Sequence, residues 1–251
     1  MQGCGNIRRG RARDTPHAPE ASAAATILNP RFKSTRPTRH RRGNPQPIIL
    51  AHDKATLRRR FRQARATLPP AARRAAARAA LRFALRHGLL LRGRRWGFYL
   101  PVNGEFDVLP LLNQALWMGK HCYLPVIPKH PGRPLRFVRL DGRQNVGKNR
   151  YGIPEPHGRR VPVRHLEVLV LPLVAFDDSG HRLGMGGGYY DATLAHQRRT
   201  GWPRPWRLGL AYECQRAETL PAEPWDIGLN ALLSEAGLRR FRAISPQASP
   251  K

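Results

Sequence analysis

Acidic residues are scarce in this sequence: 16 aspartates and glutamates stand against 45 lysines and arginines in 251 residues, and the formal net charge is +29. Lysine is also scarce, so arginine carries most of the positive charge. Such an excess is typical of proteins that bind nucleic acid or another polyanion. A genome-wide bias toward GC-rich codons would produce the same excess of arginine, so both explanations stay open.

Cysteines are few, and long apolar segments are missing. Cys4, Cys122 and Cys214 are odd in number and far apart, with no C-x-x-C pair. This pattern argues against a disulfide framework or a cysteine zinc site, and it favours a cytoplasmic location. The longest apolar run, residues 168–176, is too short to span a membrane. No apolar segment follows the basic start, so we expect no secretory signal; the resemblance to a transit peptide is loose.

Residues 1–49 contain almost nothing that a protein core could bury. They are rich in arginine, proline, alanine and serine, which predicts a disordered basic extension. We favour the interpretation that translation begins near Leu50; the alternative is a basic arm that binds RNA. Any contact with nucleic acid is expected through this extension alone. Residues 245–251 are predicted to be a tail, which leaves residues 50–244 as one folded domain.

The domain alternates between helical and strand-like patterns. Helices are predicted at residues 54–67, with Asp53 as N-cap, and at 71–87, 108–118 and 189–198. Strands are predicted at residues 95–100, 121–127, 135–140, 168–173, 206–212 and 229–234, and a loop at 150–162. Residues 168–173 are apolar throughout, which suits a central strand covered on both faces. The alternation predicts an α/β fold, with helices on both faces of a parallel or mixed sheet.

The most informative segment is residues 182–191, which read RLGMGGGYYD. Four glycines in five positions weaken a helix or a strand, but they let backbone N–H groups approach a ligand, usually phosphate. The segment lacks the Gly-Lys-[Ser/Thr] end of a P-loop and the glycine spacing of a dinucleotide fingerprint. A tight turn with close packing is the structural alternative. Arg182 at one end and Asp191 at the other favour a nucleotide-phosphate site.

Several further side chains are candidates, each with a simpler explanation. Asp191 and Asp226 can hold Mg²⁺, which takes one or two carboxylates, but they can also be a helix cap and a turn residue. Lys54 and Arg58 share one helix face and could reach one phosphate, although they also suit a solvated face. Glu105 follows a predicted strand, where ligands gather in α/β sheets; it can equally belong to a helix N-terminus.

These segments, in this order, resemble the 5-formyltetrahydrofolate cyclo-ligase family, also called methenyltetrahydrofolate synthetase. The resemblance spans about residues 50–240 and is most specific at the loop that ends in Tyr-Tyr-Asp, with Ala-Phe-Asp upstream. The matching segments are Lys54-x-x-Leu57-Arg58 with Arg65, Gly104-Glu105, residues 152–156 (GIPEP), residues 172–177 (PLVAFD), residues 182–191 and Asp226. The resemblance implies a single three-layer α/β/α domain.

The resemblance also implies a reaction. A protein of this family would convert 5-formyltetrahydrofolate to 5,10-methenyltetrahydrofolate. The reaction would require Mg²⁺ and would convert ATP to ADP and phosphate. Phosphorylation would turn the formyl oxygen into a leaving group, and N10 of the same folate would then close the ring. Such an enzyme needs positioning and charge neutralisation rather than a nucleophile of its own. We expect a monomer that acts on a small folate and does not contact a membrane.

Roles follow from the resemblance position by position. Catalytic roles are implied for Lys54, Arg58, Arg182 and Tyr190. The implied nucleotide site comprises Lys54, Arg58, Arg182, Leu183, Gly184, Met185, Gly186, Gly187, Gly188, Tyr189 and Tyr190. The implied folate site comprises Glu105, Tyr151, Gly152, Ile153, Pro154, Glu155 and Tyr190. Asp191 and Asp226 would hold Mg²⁺.

Three features depart from the family pattern. Met185 stands where some members carry a basic residue, so one phosphate contact is missing or supplied elsewhere. Asn230 stands where an aspartate is expected, which leaves a metal role for that position open. The basic extension has no counterpart in the family.

Overall fold

The computed structural model describes residues 53–130, 132–142, 146–150, 152–223 and 225–242. The predicted extension and the predicted tail lie outside these ranges. The described helices are α1 (Lys54–Ala66), α2 (Pro70–Arg86), α3 (Leu109–Trp117) and α4 (Tyr189–Thr200). All four helical predictions are confirmed to within about two residues. Asp53 precedes α1 as predicted, but its side chain makes no capping hydrogen bond. None of the described helices is long and apolar enough to cross a membrane.

Short strands alternate with these helices along the chain. In the first half of the domain they are β1 (Arg95–Gly97), β2 (His121–Val126), β3 (Arg136–Arg139), β4 (Val146–Lys148), β5 (Pro154–Pro156) and β6 (Arg160–Pro162). In the second half they are β7 (Val168–Pro172), β8 (Ala175–Phe176), β9 (Arg182–Leu183), β10 (Trp206–Leu210), β11 (Ala231–Ser234) and β12 (Gly237–Arg240).

Eight of these strands form one mixed sheet, in the order β12-β11-β10-β7-β1-β2-β3-β6. The five strands from β11 to β2 are parallel, whereas β12, β3 and β6 each run antiparallel to the strand beside them. β7 lies inside the sheet between β10 and β1, as its apolar sequence predicts. The strands β4–β5 and β8–β9 form two separate antiparallel pairs.

Side chains of β7 alternate between two cores, one on each face of the sheet. Val168 and Val170 pack in the core that contains residues of α2 and α3. Leu169 and Leu171 pack in the opposite core, with Leu194 of α4. Such alternation is the normal consequence of the two-residue period of a strand. The prediction of a three-layer α/β/α domain is therefore confirmed. The remaining helix, α1, packs through Leu57 and Phe61 against residues that include Val174 and Ala175.

The sequence-based strand predictions fail mainly at the edges of the large sheet and in the two separate pairs. The loop predicted at residues 150–162 contains β5 and β6, and the strand predicted at 229–234 is followed by a further strand, β12. β5 and β6 are three residues long and rich in proline, and β12 is only partly buried, so none of them carries a strong apolar alternation. The strand predicted at residues 95–100 ends at Gly97, because the chain leaves the sheet there to form one wall of a cavity.

Candidate functional site

A cavity of about 800 Å³ opens at the carboxyl ends of the central strands. Its walls include Tyr99 and Leu100 beyond the end of β1, Leu124 and Pro125 in β2, and Pro172 at the end of β7. Ligands of open α/β sheets bind outside this edge, and pockets of this volume accept molecules of cofactor size. The predicted site residues are therefore expected to line this cavity.

Most of the predicted site residues line this cavity. They come from α1, the segment after β1, the β4–β5 region, the segment before β11 and residues 182–191, called the glycine loop below. The predicted residues that line it are Lys54, Arg58, Glu105, Ile153, Pro154, Arg182, Leu183, Gly184, Met185, Gly186, Gly187, Gly188, Tyr189, Tyr190, Asp191 and Asp226. Gly152 and Glu155 do not line it, and Tyr151 lies outside the described residues. The Glu155 carboxylate instead accepts a hydrogen bond from Ile127 N at 3.0 Å, which ties β5 to the end of β2.

The glycine loop runs from the end of β9 into the first turn of α4. Gly186 has φ +100° and Gly188, the N-cap residue of α4, has φ +65°, conformations that favour glycine. A Cβ at Gly186 would lie 3.4 Å from Cζ of Arg58, so the glycine lets this side chain pass close to the backbone. The loop ends at a helix N-terminus beside the cavity, a position at which backbone N–H groups commonly bind anions.

Helix α1 contributes two cations, at positions one helical turn apart. Arg58 Nε donates to the carbonyl oxygen of Gly184 at 2.8 Å, which joins α1 to the glycine loop. Lys54 Nζ lies 3.0 Å from Asp226 Oδ2 and 3.8 Å from Glu223 Oε1. Asp226 Oδ2 also accepts from Glu223 N at 2.9 Å, so this carboxylate supports the local turn and faces the cavity as well.

A second pair of opposite charges connects the two ends of the glycine loop. Arg182 donates from Nη2 to Asp191 Oδ1, and its side chain is only 4% exposed. Arg182 Nε is buried without a hydrogen-bond acceptor among the described residues. Asp191 lies in the first turn of α4 but is not its N-cap residue, so the structure does not support the simpler explanation of a capping side chain. The arrangement leaves an N–H donor for a further acceptor, since buried donors are rarely unpaired.

Glu105 is a buried carboxylate in the wall of the cavity, 9% exposed. Burial raises the pKa of its carboxyl group, whereas the Val102 N–H, at 3.2 Å from Oε2, and the positive charge of Arg65 oppose that rise. Burial also raises the pKa of Tyr99 and Tyr190, and the negative charge of Glu105 adds to both shifts. Both tyrosines therefore keep their hydroxyl protons at neutral pH and can donate hydrogen bonds.

Arg65, for which no site role is predicted from the sequence, is a buried cation whose positive charge acts on Glu105. It is 1% exposed, and its Nη2 donates to the carbonyl oxygen of Asn103 at 3.0 Å. Its Nε and Nη1 are buried and have no hydrogen-bond acceptor among the described residues. Leu57, Phe61 and Arg65 follow one another at intervals of four, so helical spacing already places this arginine on the buried face of α1.

Two of the three departures from the family pattern, Met185 and Asn230, lie among the described residues and have different surroundings. Met185 lines the cavity and is exposed, so the position offers no positive charge there. Asn230 lies outside the cavity lining, next to the amino end of β11, where its Oδ1 accepts from Arg207 N at 2.8 Å. That amide completes the hydrogen bonding between the segments that begin β10 and β11. Its position argues against a metal role together with Asp191 and Asp226.

The sequence and the fold of this chain are similar to those of known proteins. Residues 51–235 match the 5-formyltetrahydrofolate cyclo-ligase family. The 5-formyltetrahydrofolate cyclo-ligase of Escherichia coli (strain K12) is 35% identical over 177 residues, covering 69% of this chain and 96% of that protein. The one from Haemophilus influenzae is 41% identical over 140 residues, covering 54% of this chain and 72% of that protein. The NMR structure of Aquifex aeolicus 5,10-methenyltetrahydrofolate synthetase matches with a TM-score of 0.64 at 30% identity, covering 79% of this chain and 96% of that chain.

Proposed function

The chain belongs to the 5-formyltetrahydrofolate cyclo-ligase family, and on this basis we propose that it converts 5-formyltetrahydrofolate to 5,10-methenyltetrahydrofolate with the consumption of ATP. One observation carries the proposal. A single cavity is lined both by groups suited to phosphate, namely Lys54, Arg58 and the glycine loop, and by groups suited to a flat heterocycle, namely Glu105 and Tyr190. Transfer of a phosphoryl group from ATP to folate requires both ligands in one place.

The phosphate part of the proposal rests on cations and backbone donors that line the same cavity. Lys54, Arg58 and Arg182 would bind the phosphate oxygens, and N–H groups of residues 184–188 would add donors at the start of α4. Arg182 brings a buried Nε that has no acceptor among the described residues. Because the transferred phosphoryl group is rich in negative charge, these groups would stabilise it while it moves.

The chemistry of the cavity's carboxylates fits Mg²⁺. Asp191 and Asp226 line the cavity, and no cluster of three or more histidines, cysteines or acidic residues suited to a metal occurs in the described part of the chain. Mg²⁺ suits such a site, since it takes one or two protein carboxylates and completes its shell with water and phosphate oxygens. We propose these two aspartates as its protein ligands; the bound ion would neutralise phosphate charge.

Folate recognition is assigned to Glu105, Tyr190 and the segment that contains Ile153 and Pro154. The Glu105 carboxylate would accept hydrogen bonds from N–H groups of the pterin, and the Tyr190 ring would pack on folate rings. Ile153 and Pro154 would form an apolar wall. For Glu155 we propose a positioning role, through its hydrogen bond to Ile127 N, rather than contact with folate. Gly152 would shape the same segment with φ +72°, and a folate contact by Tyr151 stays a prediction.

In the proposed reaction the nucleophiles belong to the substrates. The formyl oxygen forms a bond to the γ-phosphorus of ATP, and the bond from that phosphorus to the ADP oxygen breaks. N10 then attacks the activated formyl carbon, N10 loses its proton, and the carbon–oxygen bond to phosphate breaks to leave the methenyl ring. The protein holds the formyl oxygen in line with the γ-phosphate and keeps water away. We also propose that the enzyme acts as a cytoplasmic monomer, and that any nucleic-acid contact is made by residues 1–49.

A coupled assay on the full chain tests this function. We expect the absorbance of the methenyl product to increase and ADP to be released in equal amounts, each only when ATP, Mg²⁺ and 5-formyltetrahydrofolate are all present. Omission of one component at a time is the control. Release of ADP that does not depend on the folate, without formation of the methenyl product, would overturn the proposed reaction.

Replacing Glu105 with glutamine is expected to raise KM for 5-formyltetrahydrofolate about tenfold at neutral pH, because a neutral amide accepts pterin N–H groups less strongly. Burial raises the pKa of Glu105, so in the unmodified enzyme KM should increase as the pH falls through that raised pKa. This acid-side increase should disappear in Glu105→Gln. The exposed Glu218→Gln is the matched control. Steady-state kinetics across pH measures both effects, and an unchanged KM would rule out the assigned role.

A further inference from the structure

A second cavity of about 740 Å³ lies at the amino ends of the parallel strands. Arg95 begins β1 and lines this cavity, and Arg204 lines it just before β10. The first cavity lies at the opposite ends of the same strands, and the two share no lining residue. The second cavity is thus separate from the proposed active site.

Arginine dominates the lining of this second cavity. The six arginines that line it are Arg95, Arg139, Arg159, Arg160, Arg164 and Arg204. Glu167 is the carboxylate nearest to two of them, at 3.6 Å from Arg95 Nε and 3.7 Å from Arg204 Nη1. This carboxylate also accepts the backbone N–H groups of Arg94 and Arg95, at 2.8 Å and 2.9 Å. Glu167 therefore faces two of these arginines at once.

Three of these arginines have no acidic partner among the residues that the structure describes. Within the described part of the chain, Arg159, Arg160 and Arg164 form no ion pair. Positive charge also affects the histidines nearby. Burial is the largest cause that lowers the pKa of His165, and the positive charges of Arg95 and Arg159 lower it further. Burial likewise lowers the pKa of His121, and the charges of Arg139 and Arg94 add to that shift. Like charges gathered in one concavity repel one another, and an anionic ligand would relieve that repulsion.

The arrangement of the cations points to a compact ligand rather than an extended one. The six arginines come from separate segments that converge around one concavity, namely β1, β3, the β6 region and the chain before β10. A groove that follows a nucleic-acid backbone would present its charges in a line. By contrast, Arg74, Arg78 and Arg82 lie on one face of α2 and are exposed to solvent. A bias toward GC-rich codons would be enough to explain arginines at such positions.

We propose that this second cavity binds a compact polyphosphate, either free or as the phosphate chain of a nucleotide. Guanidinium groups form paired hydrogen bonds with phosphate oxygens, and several of them can surround adjacent phosphates. The volume lies within the range of small-ligand sites. Trp202, 53% exposed, lines the same cavity and offers a ring on which a nucleobase can stack.

Two exposed tryptophans report on the two cavities separately. Trp202 lines the second cavity, and Trp225 lines the first. Their indole N–H resonances in the full chain can be assigned from Trp202→Phe and Trp225→Phe. Titration with inorganic triphosphate without Mg²⁺ should move the Trp202 resonance with a saturable dependence. A parallel titration with ATP distinguishes the sources: tighter binding of ATP at Trp202 indicates a nucleotide, and equal or weaker binding indicates free polyphosphate.

The test variant is Arg159→Ala/Arg160→Ala/Arg164→Ala, and the control Arg74→Ala/Arg78→Ala/Arg82→Ala removes the same charge from α2. We expect the Kd for triphosphate read at Trp202 to increase at least about tenfold in the test variant and to stay within about twofold in the control. An unchanged Trp225 resonance in the ligand-free test variant shows that this variant is folded. The proposal is wrong if triphosphate leaves Trp202 unmoved, if both variants lose affinity equally, or if single-stranded RNA binds at Trp202 more tightly than triphosphate.

Discussion

Asp191→Asn is expected to lower kcat/KM about 100-fold, which corresponds to about 2.7 kcal/mol of transition-state stabilisation. The proposed reason is the loss of a charged Mg²⁺ ligand at the first turn of α4, beside the glycine loop. Asparagine keeps an oxygen that can accept the hydrogen bond from Arg182, so the local structure should survive. Steady-state kinetics at several Mg²⁺ concentrations measures the effect. The Mg²⁺ concentration that gives half-maximal activity should increase in the variant.

Asp178→Asn is the matched control for this experiment. Asp178 pairs with Arg216 through its carboxylate on the exposed surface, and it does not line either cavity. Exposed ion pairs contribute little to stability, so this variant should keep its activity within about twofold. If Asp191→Asn were as active as Asp178→Asn at every Mg²⁺ concentration, Asp191 would not be a ligand of the metal.

Lys54→Met is expected to raise KM for ATP at least about 30-fold, or about 2 kcal/mol. Methionine keeps the apolar stem of the side chain but removes the charge that would bind a phosphate, and it leaves Asp226 without its ion-pair partner. Because the proposed folate site lies elsewhere in the cavity, KM for 5-formyltetrahydrofolate should change far less. Direct measurement of ATP binding separates lost affinity from slower chemistry.

Arg59→Met provides the comparison within the same helix. Arg59 is exposed on α1, one residue from Arg58, and it does not line the cavity. The variant removes one positive charge from the same region, so it corrects for the general attraction of a basic protein for ATP. Equal losses of ATP affinity in the two variants would mean that the net charge of α1, and not the position of Lys54, attracts the nucleotide.

The central part of the fold follows from the sequence because its patterns are strong. The all-apolar run at residues 168–173 predicts a strand covered on both faces, and β7 occupies that position. Helix periodicity and the proline and glycine stops predict the helices well. The strands β5, β6 and β12 escape prediction because strands at a sheet edge or in an isolated pair are stabilised by pairing with a neighbour rather than by burial of alternate side chains.

The candidate site shows the same division between local and distant information. The glycine loop is visible in the sequence because its composition is unusual for any regular element. That Lys54 reaches Asp226 and Arg58 reaches Gly184 could not be predicted from spacing, since these partners are more than a hundred residues apart. The burial of Arg65 beside Glu105 could have been suspected from helical spacing, but the charge of arginine favours the assumption of a solvated face. The second cavity is invisible in the sequence, because its arginines come from several separate segments.

The pairs Lys54–Asp226 and Arg182–Asp191 have a consequence for how a nucleotide would arrive. Each cation already has an anionic neighbour in the protein, so a triphosphate would take over existing contacts instead of ordering loose side chains. The affinity for nucleotide would then depend on how much more strongly each cation binds phosphate than it binds its aspartate. The released aspartates would bind metal ions. Cation and carboxylate would change partners together, which couples the binding of nucleotide to that of Mg²⁺.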